Sequence, residues 1–393
     1  MRPGIYIDHT LQPPRRRELV RSDVGGLIGF IPPERWPDGA TAGDFVEFVF
    51  TRFDQLEEHP QQHLIDVPSR RAVRSFFENG GDTVHVYSLC VKGIDDLRAP
   101  DAEQGAFVAL MDRLRGTEEI ALLACPAAAS LRCEVRRNGD VVTDADALYD
   151  LLLSHCRQMT NRFLLVDSPR GLHEELLTRW VTGFRERHPE DRAHGAVYYP
   201  WLKRGDEVYP PSGAMMGVYV RMEREHGPYG IAWPPANTAL LGATHAEVEL
   251  DWAEAGIMSD AGVNPIVVQP GRGVTVWGAR TLSTDPQWTW INSRRVVSMI
   301  AEQLRRDNEW SIFENNDPAL WKVIERDVRV RLDEFHEAGM LAGARNGGEY
   351  SVECNETTNP LALRQAGVLS VAVRLKPVGT TERILIDLRL GGD

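Results

Sequence analysis

The alternation of apolar and polar positions predicts strands and helices in turn along the first block of the chain. Val24 to Ile31 is nearly all apolar and predicts a buried strand. Val67 to Asn79 carries apolar residues at helical spacing and stops at Gly80-Gly81, as a helix does. Asp82 to Cys90 then alternates as a strand does. This block is therefore predicted to be α/β.

The same order of elements returns in the next block and predicts a mainly parallel sheet, because strands joined through helices pair in parallel. The predicted strands are Ile120 to Cys125, Phe163 to Val166 and Gly195 to Trp201, and the predicted helices are Asp144 to Gln158 and Gly171 to Glu186. The glycine- and proline-rich stretch from Gly205 to Gly242 is predicted to be a long loop. Long loops of this kind are typical of binding surfaces and interfaces.

The last block contains the clearest helix signal. Asp317 suits the N-cap, Pro318 suits the first helical position, and Gly339 ends the pattern. One apolar stripe is formed by Trp321, Ile324, Val328, Leu332 and Phe335. The opposite face is densely charged, which fits either a solvated surface or a partner. The other elements predicted here are a helix at Ser293 to Arg306 and strands at Ile266 to Val268, Val274 to Trp277, Trp310 to Glu314, Tyr350 to Cys354 and Val368 to Leu375.

Both ends of the chain have the pattern of arms without a core of their own. Gly4 to Ile7 is a short strand pattern before the basic stretch Pro13 to Arg17, and Glu382 to Leu390 alternates as a strand at the other end. A lone strand cannot satisfy its backbone, whereas a sheet edge on another copy offers the missing hydrogen bonds. Such exchange between identical copies need not close, so it predicts a helical polymer. Flexible links are predicted at Pro13 to Arg17 and at Pro377 to Thr381.

Composition narrows the classes of protein. With 393 residues, 42% hydrophobic and 26% charged, the chain can bury more than one core. The net charge of −13 disfavours nucleic acid and anionic membranes as partners. The five cysteines show no zinc-type spacing and are predicted to be reduced thiols. The start is not a secretory signal, and no stretch approaches the ~20 apolar residues of a membrane span, so synthesis in the cytoplasm is predicted. No metal and no cofactor are predicted.

Two other classes of protein are alternatives to the subunit of a helical polymer. A hydrolase would need a triad, and the candidate pieces are His155, Asp167, Ser168, His173, His194 and Ser212. None lies in a Gly-x-Ser-x-Gly turn, and their chain order matches no known triad with supporting motifs, so core histidines and loop serines explain them better. A monomeric binding module would explain the aromatic, loop-rich centre, although ten tryptophans are more typical of core and interface.

Short motifs follow one another along nearly the whole chain. They are Pro3-Gly4-Ile5-Tyr6-Ile7, Phe76-Phe77-Glu78-Asn79-Gly80-Gly81, Tyr198-Tyr199-Pro200-Trp201, Pro211-Ser212-Gly213, Ala232-Trp233-Pro234-Pro235-Ala236-Asn237, Asn264-Pro265, Gly271-Arg272-Gly273, Val276-Trp277-Gly278-Ala279-Arg280-Thr281-Leu282, Asp285-Pro286-Gln287-Trp288, Phe313-Glu314-Asn315-Asn316-Asp317-Pro318-Ala319-Leu320-Trp321 and Cys354-Asn355-Glu356-Thr357-Thr358-Asn359. In this order and spacing the chain resembles the contractile tail sheath proteins of phage tails, pyocin-like particles and extracellular contractile injection systems.

The resemblance implies a structural subunit, without enzymatic activity or cofactor, that polymerises helically around an inner tube and contracts to drive it through a target envelope. The implied partners are other copies of the chain, the inner tube protein, and baseplate and tail terminator or cap proteins. The implied location is a phage tail or a released contractile particle. At 393 residues the chain leaves little room for decorating outer domains, which fits a compact injection-system sheath or a specialised copy near the baseplate.

The resemblance also implies a multi-domain α/β architecture. Its parts are an N-terminal arm at 1–20, an α/β region at 21–95, a subtilisin-like α/β middle domain at 96–270, an α+β C-terminal domain facing the inner tube at 271–378, and a C-terminal arm at 379–393. The predicted strand-exchange residues are Gly4, Ile5, Tyr6, Ile7, Ile384, Leu385, Ile386, Asp387 and Leu388. The predicted tube contact lies on the helix Pro318 to Ala338, through Lys322, Arg326, Arg329 and Arg331.

Overall fold

Strands and helices alternate along the chain in a computed structural model that describes residues 18–98, 100–101, 103, 105–137, 139–343 and 350–380. The strands are β1 Val24–Ile31, β2 Phe45–Phe50, β3 Thr83–Cys90, β4 Leu122–Ala124, β5 Cys133–Val135, β6 Val141–Thr143, β7 Phe163–Asp167, β8 Gly195–Tyr199, β9 Leu202–Arg204, β10 Glu207–Tyr209, β11 Thr238–Ala239, β12 His245–Ala246, β13 Val263–Gln269, β14 Gly273–Val276, β15 Tyr350–Glu353 and β16 Ala372–Leu375. The helices are α1 Asp54–Glu57, α2 Val67–Glu78, α3 Ile94–Arg98, α4 Val108–Gly116, α5 Asp146–Met159, α6 Glu174–Glu186, α7 Ser212–Glu225, α8 Trp252–Ala261, α9 Ile291–Asn308, α10 Pro318–Glu337 and α11 Leu361–Gln365.

The largest sheet in the described residues joins strands from all three blocks of the chain. In the described residues it has nine strands, in the order β11-β14-β13-β8-β7-β4-β1-β3-β2. Strands β3, β1, β4, β7, β8 and β13 run parallel to their neighbours, while β2, β14 and β11 pair antiparallel at the two sides. The predicted mainly parallel sheet is confirmed. The sheet includes strands on both sides of the predicted domain boundaries after residues 95 and 270. The division of the chain into five parts stays a prediction.

Neighbouring residues on each central strand enter different cores, because side chains alternate across a strand. Ile28, Leu123 and Leu164 pack on one face with α4, α5 and α6. Leu27 and Leu165 pack on the other face with α2 and α7. Both faces are covered, which explains why these strands are nearly continuous apolar runs rather than alternating ones.

Helix α7 corrects the prediction of one long loop from Gly205 to Gly242. Its residues from Ser212 to Val220 are all buried, so the apolar pattern has no polar face by which a helix would be recognised. The helix lies against α2 through two glycines. A Cβ atom on Gly213 would lie 2.4 Å from the Cα of Ala72, and one on Gly217 would lie 2.4 Å from the carbonyl oxygen of Phe76. The glycines are therefore required by close backbone approach rather than by a turn.

The described residues group into two compact units. The larger contains residues 20–301 and 378–380 and includes the long sheet. The smaller contains residues 18–19 and 302–377, with α10, α11 and the antiparallel ribbon β15–β16. In the smaller unit the predicted cap is confirmed, because Asp317 accepts from the amides of Ala319 and Leu320. The predicted apolar stripe of α10 is buried.

The predicted strand from Trp310 to Glu314 is wrong. The chain instead forms a 3-10 turn at Glu309–Ser311, and Phe313 has a φ of +71°, which no strand residue adopts. Ile312 and Phe313 are both exposed. Helix α8 is a second element that the pattern analysis missed, although Asp251 and Glu254 form a capping box at its start.

Candidate functional site

The residues that a hydrolase would use come together only in part. Asp167 ends β7, Ser168 follows it, and the backbone amide of Ser212 donates to the Asp167 Oδ1 at 2.7 Å. All three side chains are buried. In the described part of the chain no histidine hydrogen-bonds to the Asp167 carboxyl. The cluster lacks the base and the solvent access that a nucleophilic serine needs.

Two of the three candidate histidines are buried inside the fold, and the third is exposed. His155 is buried, and its Nε2 accepts from Arg162 at 2.5 Å. Burial, together with nearby arginines, lowers the pKa of His155 and of His194 to about 3. Both imidazoles are therefore neutral at pH 7. His173 is exposed and sits before the first turn of α6.

The buried Asp167 predicts an unusual pH dependence of stability. Burial raises the pKa of its carboxyl to about 7, against 3.8 for the free group. Since the folded pKa is above the unfolded one, the contribution is full below about pH 4 and is lost as the pH rises through 7. We expect Asp167→Asn, which keeps an acceptor for the Ser212 amide, to be more stable than wild type by a few kcal/mol (order of magnitude) at pH 8, and by less at pH 5.

Thermal unfolding of the purified protein between pH 5 and pH 8 measures this difference. Asp206→Asn, at an exposed aspartate in the β9–β10 turn, is the matched control and should follow wild type. Identical pH profiles for Asp167→Asn and wild type would contradict the prediction. The two buried histidines act in the opposite sense, since their lowered pKa removes stability as the pH falls below 6.5.

The predicted strand-exchange residues Gly4, Ile5, Tyr6, Ile7, Ile384, Leu385, Ile386, Asp387 and Leu388 lie outside the described residues. The described chain begins at Glu18 and ends at Thr380, so it includes only the inner end of each predicted arm. Sheet edges that could receive a strand are present. In the described residues, β15 and β16 pair only with each other over four residues, from Tyr350–Leu375 to Glu353–Ala372. A two-stranded ribbon of this length is marginal on its own.

The four cations predicted on α10 differ in their surroundings. Lys322, Arg326 and Arg329 are exposed on one helix. Arg326 pairs with Asp327 at 2.8 Å, and Arg329 pairs with Glu325 at 2.9 Å, which are exposed contacts of small energy. Arg331 is 7% exposed and its Nε lies 2.6 Å from Asp307 Oδ2. The Arg331 guanidinium is paired with Asp307 inside the smaller unit and is not available at the surface. The prediction of a tube contact therefore rests on Lys322, Arg326 and Arg329.

Two further surfaces expose large apolar side chains. Trp252 and Trp277 contact each other edge to face, with ring centroids 5.2 Å apart, and are 60% and 42% exposed. Phe313 is completely exposed and also has a left-handed backbone. Exposed aromatic residues of this kind are typical of surfaces that meet another protein.

Other kinds of site find little support in the described residues. No helix there is long and apolar enough to span a membrane. Within those same residues, no group of three or more His, Cys, Asp and Glu side chains is arranged to hold a metal ion. All five cysteines are free thiols, and four of them are buried.

Comparison with known proteins agrees with the fold. Residues 283–391 match the family model of the phage tail sheath C-terminal domain. A tail sheath protein of Vibrio phage KVP40 is 21% identical over 149 residues, which are 38% of this chain and 21% of that protein. The chain thus spans about a fifth of the length of this relative.

Two solved structures are similar over almost their whole length. A chain in the baseplate structure of the anti-feeding prophage is 24% identical, with a TM-score of 0.72, covering 100% of this chain and 99% of that one. A chain of the contracted PVC sheath complex, from an extracellular contractile injection system, is 20% identical, with a TM-score of 0.73, covering 99% and 97%. At these identities the likeness establishes a shared fold. The resemblance to contractile tail sheath proteins is confirmed.

Sequence reasoning missed the polar residues of α9 that hydrogen-bond to the chain beside the two predicted arms. Asn292, Ser293 and Arg295 are buried and hydrogen-bond to backbone carbonyls near the two termini. The apolar stripe predicts the helix but not these contacts. The signal that could have indicated them is the presence of polar residues beside that stripe, on the buried face of α9.

Proposed function

We propose that the chain is a structural subunit of a contractile sheath, which polymerises helically around an inner tube and contracts to drive that tube through a target envelope. The observation that carries the proposal is the sheath fold over the whole chain together with the match of residues 283–391 to the sheath C-terminal domain. The predicted subtilisin-like middle domain belongs to the same proposal and is supported by the parallel sheet with helices on both faces.

Assembly on this account uses the terminal arms. An arm such as Ile384 to Leu388 adds as a strand to a sheet edge of a neighbouring copy, because neither an isolated strand nor an open edge satisfies its own backbone. The β15–β16 ribbon is a suitable acceptor, since added strands would turn a marginal pair into a wider sheet. Each subunit then gives and receives a strand, and the chain of contacts continues as a helix.

Contraction requires no chemical step in this proposal. Subunits held by exchanged strands can move as rigid bodies between two packings, and the free-energy difference between those packings drives the motion. The chain's assembly partners are other copies, the inner tube protein, and baseplate and terminator proteins, within a phage tail or a released particle. A specialised copy near the baseplate would use the same contacts.

Negative-stain electron microscopy of the purified full chain at rising concentration tests the proposal. We expect hollow helical tubes, either alone or when the cognate inner tube protein is added as a template. A chain that stays monomeric in both conditions would contradict the sheath function.

The proposed tube contact makes a separate prediction. We expect Lys322→Glu with Arg326→Glu to abolish co-sedimentation with the inner tube while leaving the fold intact, because both side chains are exposed on α10 and electrostatic complementarity governs such encounters. The matched control is Arg52→Glu with Arg136→Glu, which makes the same change in charge at exposed residues of the larger unit. If both double variants bind the tube equally well, α10 is not the contact.

A further inference from the structure

The bases of both arms are hydrogen-bonded to polar side chains of one helix, α9. These residues are Asn292, Ser293 and Arg295, all in the larger unit. These side chains are buried among the apolar residues of α9 and have lost contact with water. Each of them therefore requires a hydrogen-bond partner in the protein.

The C-terminal arm begins at a triple hydrogen bond in the larger unit. Ser293 Oγ and Asn292 Nδ2 donate to the carbonyl oxygen of Val378 at 3.0 Å and 3.3 Å. Thr380 Oγ1 donates to Asn292 Oδ1 at 2.7 Å. Asn292 also donates to the carbonyl oxygen of Ala232 at 2.9 Å, which fixes its amide orientation. Asn292 and Ser293 are 1% and 4% exposed.

The chain just after the predicted N-terminal arm is hydrogen-bonded to α9 at Ser22. In the larger unit, Arg295 donates to the carbonyl oxygen of Ser22 at 3.0 Å and pairs with Glu223 at 2.6 Å. The Ser22 hydroxyl donates to the same Glu223 carboxyl at 2.5 Å. The buried Arg295 guanidinium is thus paired with the Glu223 carboxylate and bonded to the Ser22 carbonyl oxygen.

We propose that Asn292, Ser293 and Arg295 form an arm clamp, which fixes the points at which the two exchange strands leave the larger unit. The proposal rests on the proposed sheath function, since it assigns positioning residues to its arms. A strand whose base is fixed loses less conformational entropy when it pairs with a neighbour, so pre-organised arms assemble at lower concentration.

The clamp also corrects the position of the predicted C-terminal link. The stretch Pro377 to Thr381 is predicted as flexible, but Val378 and Thr380 are bonded to α9. The prediction of a flexible link is therefore wrong for Val378 and Thr380. The corresponding N-terminal link, Pro13 to Arg17, lies outside the described residues.

Hydrogen exchange at the base of the C-terminal arm tests the clamp in the unassembled protein. We expect the double variant Asn292→Ala and Ser293→Ala to speed amide exchange in the peptide around residues 376–382 about three- to ten-fold, because it removes the three side-chain hydrogen bonds that hold Val378 and Thr380. Thr380→Val is the conservative variant, because it removes one bond from the arm side and leaves α9 unchanged; it should speed exchange in the same peptide. Ser298→Ala, at a buried serine of the same helix, is the control and should exchange like wild type.

Sedimentation then measures the concentration at which tubes form, and we expect it to rise several-fold in both clamp variants. The clamp is overturned if exchange around residues 376–382 is unchanged in Thr380→Val and in the double variant. It is also overturned if wild type polymerises and both variants polymerise at the same concentration. Faster exchange in the variants of a chain that forms no tubes would instead support the clamp and count against the sheath function, so the two failures are distinguishable.

Discussion

Removal of Glu382 to Asp393 is expected to leave a folded protein that no longer forms tubes. The removed segment contains the alternating pattern Ile384 to Leu390, which is predicted to be a strand whose backbone groups need a neighbour to pair with. The two cores lie within residues 24–291, so truncation removes none of their residues. Thermal unfolding should therefore be close to that of the full chain.

A shorter truncation is the matched control. Removal of Gly391 to Asp393 alone keeps the whole predicted strand and is expected to keep tube formation. Electron microscopy and sedimentation of the three proteins at equal concentration compare them directly. A chain without Glu382 to Asp393 that still polymerises would exclude strand exchange by the C-terminal arm.

Substitution of Gly217 by alanine is expected to destabilise the larger unit by about 2–3 kcal/mol, because the new methyl group meets the α2 backbone. Its Cβ would lie 2.4 Å from the Phe76 carbonyl oxygen and 2.7 Å from the Asn79 Cβ, and neither can move without displacing a helix. Asn79 itself is buried and joins the end of α2 to the chain at Leu241 through two hydrogen bonds of 2.8 Å and 3.0 Å. Displacement of α2 would disturb those bonds as well.

Gly183→Ala is the control for this prediction. Gly183 lies within helix α6, and a Cβ there would meet nothing within 4 Å. The same chemical change should therefore stabilise the protein slightly, by up to about 1 kcal/mol, since alanine favours helix more than glycine does. Denaturant unfolding of the two variants should give shifts of opposite sign. Equal shifts would show that the α2–α7 contact does not depend on Gly217.

The sequence by itself determined the class of fold and the resemblance. Runs such as Val24 to Ile31 have the length and composition of strands buried on both faces, and the mainly parallel sheet follows from the helices between them. Helix α10 was predicted with its cap and stripe because Asp317 and Pro318 act locally, through the backbone of the first turn. The motifs from Asn264 to Asn359 identified the sheath resemblance without any contact between distant residues.

Tertiary structure decided what depends on neighbours far away in the chain. Helix α7 is buried on every side from Ser212 to Val220, so this part of its pattern lacks the polar face that marks a surface helix, and only packing against α2 explains its glycines. Phe313 follows a helix-like turn rather than a strand, with a left-handed backbone that apolar character alone cannot predict. The four cations of α10 look alike in sequence, but Asp307, 24 residues before Arg331, removes one of them from the surface. The arm clamp likewise exists only where α9 meets residues near both termini, because a buried polar group is defined by the partner that folding brings to it.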